Sequence, residues 1–504
     1  MPNHLWSALF ARHEGSPAPF LDLPDGTGWT HGDFAARAAR MASVLTGRGL
    51  SPGDRVAVQV AKSPDALVLY AACVRGGFVF LPLNTAYTPS ELDYFVSDAE
   101  AALLVCDPGA PDKLRPVAEG AGARIATLAD LAAGAESADP APVVDRDSGD
   151  LAAILYTSGT TGRSKGAMLS HANLASNAEA LAGAWRFTDR DVLIHALPIF
   201  HTHGLFVATN VTLAAGGSLI FQPRFDPDAI LAAMPRATAL MGVPTFYTRL
   251  LDHPGLTREA AEGMRLFVSG SAPLLAETHR QFEERTGHRI LERYGMTETN
   301  MNTSNPYEGE RRPGTVGPAL PGVEIRVADA DGDPVPTGEV GTVEVRGPNV
   351  FRGYWRMPEK TAEEMHPDGW FITGDLGTLS DDGYLSIVGR AKDLVISGGY
   401  NIYPKEVELL LDEMPGVLES AVIGVPHPDM GEGVVGVLVP EPGASLDPDA
   451  VMGALDGRIA RFKQPRRIEI VDELPRNTMG KVQKNVLRDR FARLFVAERT
   501  SLTR

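Results

Sequence analysis

The sequence is poor in cysteine, lacks an excess of positive charge and has no long apolar run. Its only cysteines are Cys73 and Cys106. Two thiols cannot frame a disulfide scaffold, and they fit a reducing compartment. Lys and Arg total 47 against 64 Asp and Glu, a net charge of −17. That balance disfavours nucleic acid and anionic membrane as partners. An anionic ligand must then be held by local cations and backbone N–H groups. No run of about 18 apolar residues occurs, which argues against a transmembrane helix. Residues 1–6 show no basic segment leading into an apolar one. The expectation is a soluble, cytoplasmic protein. With 504 residues, 44% hydrophobic and 22% charged, the chain has ordinary globular proportions. A disordered chain, a collagen and a coiled-coil rod are excluded.

Residues 55–60 read as a strand, 63–75 as a helix and 101–106 as a strand. This βαβ spacing predicts a largely parallel sheet. Residues 140–150 read as a connector, and 151–156 as a buried strand running into a Gly/Ser/Thr loop. Short apolar runs at 193–198, 217–221, 239–243 and 265–269, separated by helical segments, predict a second α/β region. Between 313 and 391 glycine and proline are frequent, and the strand-like runs at 323–327 and 341–346 are short and alternating. That texture predicts a small β-rich subdomain. Beyond Arg390 it changes again, and a helix opens near Pro404. The expected fold is α/β, with a large N-terminal domain (1–391) and a small α+β C-terminal domain (392–504).

The run 156–169, Tyr-Thr-Ser-Gly-Thr-Thr-Gly-Arg-Ser-Lys-Gly-Ala-Met-Leu, carries the clearest chemical signal. Gly159, Gly162 and Gly166 allow backbone N–H groups to approach phosphate oxygens. The hydroxyls donate hydrogen bonds, and Arg163 and Lys165 supply positive charge. The run is not the Walker pattern, since no Gly-Lys-Ser/Thr occurs in it. Composition alone also fits a polar surface loop.

Four further motifs follow in order: 293–298 (Arg-Tyr-Gly-Met-Thr-Glu), 369–376 (Gly-Trp-Phe-Ile-Thr-Gly-Asp-Leu), 389–408 with Gly-Arg-Ala-Lys-Asp and Ser-Gly-Gly-Tyr-Asn-Ile-Tyr-Pro-Lys-Glu-Val-Glu, and 475–482 (Pro-Arg-Asn-Thr-Met-Gly-Lys-Val). Together with the loop, this set resembles the adenylate-forming superfamily of acyl-CoA synthetases, luciferases and adenylation domains. The resemblance implies two half-reactions. A carboxylate attacks the α-phosphorus of ATP, and a thiol, here that of coenzyme A, displaces AMP from the acyl-adenylate. It also implies roles for residues. Thr157, Ser158, Gly159, Thr160, Thr161, Gly162 and Lys165 would grip the β/γ-phosphates. Thr297 would contact the α-phosphate, and Glu298 would hold Mg²⁺ directly or through water. Asp375 and Arg390 would bind the ribose, and Tyr294 would stack on adenine. Ser269, Gly270, Ser271, Arg293, Gly295 and Met296 would border the nucleotide. Lys481 would bridge carboxylate and phosphate oxygens. Lys392 stands at the family's hinge, about which a mobile C-terminal domain turns, and Gly398 and Gly399 would line the CoA tunnel. The basic run 458–467 reads as a solvated face or as a receiver of CoA phosphates.

By the same resemblance, His201 of Pro-Ile-Phe-His-Thr-His-Gly (198–204) matches the family's His-x-x-Gly pattern, in preference to His203. It would border the acyl pocket with Thr202 and Met301. The family position before the motif tyrosine also lines that pocket, and here it is Arg293. A buried cation is costly without an anion, so a substrate with a second carboxylate is expected. Arg236 is a second candidate cation. A short pocket ending in charge fits malonate or methylmalonate, and residues 291–301 resemble those of malonyl-CoA synthetases. A medium-chain or aryl acyl-CoA synthetase, or a stand-alone adenylation enzyme serving a carrier protein, is the alternative.

Overall fold

The computed structural model describes residues 3–157, 164–397, 400–428, 430–477 and 480–495. The chain groups into two compact units, residues 1–325 with 345–371, and residues 326–344 with 372–504.

The first unit is built on two sheets. One has six strands in the order Arg124–Thr127, Ala101–Cys106, Arg55–Gln59, Val79–Pro82, Leu151–Thr157 and Lys165–Ser170. All neighbours pair in parallel except the last two, which are antiparallel. Leu103, Leu104, Val105 and Cys106 are fully buried, as a parallel strand covered on both faces requires. The apolar run at 63–75 does form a helix, Pro64–Gly76, for local reasons. Ser63 caps it by accepting from the N–H of Ala66, Pro64 occupies the first turn, and Gly77 closes it at φ 72°. The connector at 140–150 contains no helix or strand.

The second sheet has eight strands, Asn300–Ser304, Leu291–Met296, Leu266–Ser269, Ala239–Gly242, Val192–His195, Ser218–Phe221, Pro19–Asp22 and Gly28–Thr30. Its six inner strands run parallel and the two outermost are antiparallel to their neighbours. Strands Pro19–Asp22 and Gly28–Thr30 carry no strong alternation; the first joins this sheet by pairing onto Ser218–Phe221 and the second by pairing onto the first.

Asp191 ties together the amino ends of three of these strands. It is 4% exposed and accepts from the Thr188 N–H (2.8 Å), Thr238 Oγ1 (2.7 Å) and Arg265 Nε (2.7 Å). Burial alone would raise its carboxyl, but these donors hold it below the ordinary value.

The second unit contains most of a four-stranded sheet ordered Glu324–Ala328, Gly341–Arg346, Phe371–Leu379 and Leu385–Arg390. It also contains a five-stranded sheet around the hairpin Val417–His427 and Gly431–Pro440. Alternate hairpin residues serve two cores. Val422, Val434 and Leu438 pack with Val407 and Leu411 of helix Pro404–Asp412. Ala421, Ile423, Val435 and Val437 pack with Leu487 and Phe491 of helix Lys484–Phe491. The period of two is what lets one sheet bury both faces. No helix among the described residues is long and apolar enough to cross a membrane.

Asp191→Asn is expected to destabilise the protein by roughly 3 kcal/mol in urea unfolding at neutral pH, the cost of breaking a buried charge pair. A depressed carboxyl stabilises above its unfolded value of 3.8, so the gap between wild type and variant should close as pH falls through that range.

Candidate functional site

The carboxyl ends of the parallel strands Ala239–Gly242, Leu266–Ser269 and Leu291–Met296 carry a cluster of polar side chains, as open α/β sheets place them. Arg293 is at its centre. The first three residues of its strand are buried, and Arg293 is 3% exposed. Its guanidinium lies directly over Gly270. A Cβ there would come within 2.4 Å of Arg293 Cζ, so glycine leaves the space. Burial pushes Arg293 down to about 9, still charged at neutral pH, with the Tyr247 phenol nearby opposing the shift. Its buried Nε and Nη2 have no hydrogen-bond partner among the described residues. Two buried donors of a cation without acceptors mark a place for an anion.

The surroundings of Arg293 are fixed. Tyr247 donates to the Val268 carbonyl at 2.6 Å. Ser271 sits in the left-handed region at φ 72°, a strained conformation for serine, and its Oγ is 3.2 Å from His203 Nδ1. His203 is 1% exposed. Burial drives its pKa well below the ordinary value, and the charge of Arg293 pushes the same way, so the ring is neutral. The His203 N–H donates to His201 Nδ1 at 3.3 Å, which leaves the proton of a neutral His201 on Nε2. Thr202 is buried, and its Oγ1 has no partner among the described residues. Gly204 is required here, because a Cβ would stand 2.0 Å from the Pro198 carbonyl oxygen. It enters the π-helical turn His203–Thr209, a geometry common at functional sites. His203 was passed over in the sequence because the His-x-x-Gly spacing singles out His201; burial and contact bring His203 to the Ser271 side.

Arg236 is placed elsewhere. It lies in the short turn Met234–Arg236, 63% exposed, with its Nη1 2.6 Å from Asp22 Oδ2. An exposed arginine satisfied by a surface carboxylate is no pocket cation, and this corrects the expectation. Met301 is 2% exposed, held by Asn177 on both its N–H and its carbonyl. Its side chain abuts Gly295, where an added Cβ would meet Met301 Cε at 2.7 Å and the Asn300 carbonyl at 1.8 Å.

A strap at 349–355 connects the Thr-Glu motif to the base of the phosphate loop. The Phe351 N–H donates to the Glu298 carbonyl at 2.8 Å, the Met168 N–H to Gly353 and the Trp355 N–H to Gly166. Glu298 is 5% exposed, and Thr297, half-buried, precedes it in the turn after Met296. Tyr294 is half-buried on the same strand. Thr157 ends its strand 3.5 Å from the Lys165 carbonyl oxygen, and Lys165 Nζ reaches Glu364. Tyr354 and Glu364, which no motif signals, contact Glu298 and Lys165. Ser269 is buried at the end of its strand. Ser158, Gly159, Thr160, Thr161 and Gly162 lie outside the described residues, as do Gly398 and Gly399.

In the second unit, cross-strand register sets Asp375 opposite Arg390. Arg390 Nε lies 2.5 Å from Asp375 Oδ1, and Asp375 is 3% exposed. Lys392 occupies the turn Ala391–Asp393, where burial and the nearby Arg390 and Arg488 lower its pKa while Asp393 raises it. Lys481 is exposed, its N–H donating to Asn477 Oδ1 at 2.9 Å.

No group of three or more His, Cys, Asp or Glu that could hold a metal occurs among the described residues. A hard cation that keeps waters and takes substrate phosphates fits the buried Glu298 carboxylate; a fully protein-bound metal does not.

Open α/β sheets bind their ligands at the carboxyl ends of the strands, where Arg293 lies. The chain belongs to the AMP-binding enzymes: residues 8–355 match the AMP-binding enzyme family and 406–481 its C-terminal domain. Among solved structures, ATP-bound MatB from Rhodopseudomonas palustris is 59% identical, with a TM-score of 0.95 over 98% of this chain and 100% of that one. A feruloyl-CoA synthase from Amycolatopsis is 38% identical over 92% of this chain and 94% of its own length. A malonate–CoA ligase from Arabidopsis thaliana is 32% identical over 96% and 88%.

Gly295→Ala is expected to cost about 2–3 kcal/mol of stability through overpacking and to weaken ATP binding. Urea unfolding and calorimetry with ATP check both.

Proposed function

We propose that the chain is a malonate–CoA ligase, converting malonate, ATP and CoA into malonyl-CoA, AMP and pyrophosphate. The observation that carries this reading is the buried Arg293 guanidinium, two of whose donors have no partner among the described residues. An apolar acyl chain would leave that charge unpaired, at a cost of several kcal/mol. The far carboxylate of a short diacid pairs with it, and Ser271 and His203 lie alongside. Relatives that act on acids as different as ferulate and malonate match this chain at similar identity, so the pocket decides the acid.

In the first half-reaction a malonate carboxylate oxygen attacks the α-phosphorus, the bond to the bridging oxygen breaks, and pyrophosphate leaves with that electron pair. Catalysis is positioning and charge neutralisation. Lys165 and Thr157, with Ser158, Gly159, Thr160, Thr161 and Gly162, hold the β/γ-phosphates. Thr297 meets the α-phosphate, and Lys481 spans the carboxylate and phosphate oxygens. Tyr294 stacks on adenine beside Ser269, Gly270, Ser271, Gly295 and Met296. Asp375 accepts from the ribose hydroxyls, and Arg390 donates to them. Glu298 would hold Mg²⁺, which supplies charge neutralisation when bound. His201, Thr202 and Met301 border the acyl group. In the second half-reaction the CoA sulfur attacks the acyl carbon, the thiol proton passes to solvent, and the bond to AMP breaks. Gly398 and Gly399 receive the pantetheine arm, and Lys392 is the hinge between residues 1–391 and 392–504.

Pyrophosphate release over a panel of acids tests this. Malonate is expected to lead. Methylmalonate should follow within a factor of about 100, since one methyl group changes affinity by only ~1–3 kcal/mol. Octanoate or an aryl acid outpacing malonate would overturn the reading. Arg293→Ala is expected to raise the malonate KM by about 100-fold, the scale of a buried charge contact, and to leave the ATP KM nearly unchanged.

A further inference from the structure

Lys165, Glu364, Tyr354 and Glu298 form an unbroken chain of contacts. Lys165 Nζ is 3.0 Å from Glu364 Oε1 and 3.2 Å from Oε2, and 4.0 Å from the centre of the Tyr354 ring. The ammonium is thus gripped by a carboxylate on one side and an aromatic face on another. The two side chains are 17% and 24% exposed, sheltered enough for the pair to exceed an ordinary surface ion pair. Tyr354 Oη lies 2.6 Å from Glu364 Oε2 and 3.1 Å from Glu298 Oε1. Burial would raise Glu364, but Tyr354, Lys165 and Lys360 hold it low and charged. Glu364 ends the short helix Pro358–Glu364. If it served only that helix, its i,i+4 bond to Lys360 (3.0 Å) would suffice. Instead it also reaches the strand Lys165–Ser170, remote in sequence.

We propose that Glu364 and Tyr354 are positioning residues for ATP. Glu364 fixes the ammonium that meets the polyphosphate, and Tyr354 ties that carboxylate to Glu298, so cation and carboxylate are held at one spacing. This rests on the reading above that Lys165 contacts the phosphates. Neither residue touches the substrate; each acts through its neighbour.

Glu364→Gln keeps the shape and removes the charge. Tyr354→Phe keeps the ring under Lys165 and removes the bridge. Each is expected to raise the ATP KM, and the calorimetric Kd for ATP, roughly tenfold, the scale of a bond to a charged group. The malonate KM should move by less than about twofold, a split that general loss of structure would not produce. In a Lys165→Ala background, Glu364→Gln should change ATP affinity by less than about twofold, because the group it positions is gone. Fully additive losses in the double variant, or a malonate KM rising in step with that of ATP, overturn the positioning role while leaving the Lys165 reading intact. Lys165→Ala binding ATP as the wild type does overturns that reading and this inference together.

Discussion

A guanidinium withdrawn from water is costly, and the proposed acid-binding half of the site is organised around that cost. Arg293 is 3% exposed on the strand Leu291–Met296. Gly270 gives it room, Tyr247 is locked away on a backbone carbonyl, and Ser271 accepts a left-handed conformation beside it. His203 is kept neutral by burial and by the same charge, so it adds no second cation to repel the first. The result is a buried cation at the end of a parallel sheet, with Nε and Nη2 lacking a partner among the described residues. Desolvation makes a cation in such a place favour an anion beside it.

The proposed nucleotide half depends on a different device. The strap at 349–355 pins the strand Lys165–Ser170 while also holding the backbone of Glu298. Tyr354 and Glu364 then link the side chains that the backbone has placed. Motif residues far apart in sequence are thereby spaced by non-motif residues, which fill the distance between them.

Much of the fold was legible in the sequence. The strands at 55–59, 101–106, 239–242 and 266–269 lie within the short apolar runs, and the helix Pro64–Gly76 announces itself through Ser63, Pro64 and Gly77. Local rules suffice there because burial on both faces demands continuous apolar residues. Strands Pro19–Asp22 and Gly28–Thr30 were illegible, since they are only four and three residues long, too short to show a pattern. Arg293 was found as a position within a motif. Arg236 shows the limit of that approach: a cation near a strand gives no hint of whether a surface carboxylate such as Asp22 has claimed it. His203 and Glu364 were missed for the converse reason, because their roles come from contacts with Ser271 and Lys165, not from spacing.

The sequence by itself determined the α/β class, the family through its ordered motifs, and the presence of a cation where an acyl group is expected. These are properties of short stretches of chain, in which periodicity and spacing are written directly. Only the tertiary structure decided that Arg293 is dry, that Arg236 is wet, and that Glu364 grips Lys165. Exposure and ion pairing depend on which distant segments pack together, and no single stretch of sequence contains that information.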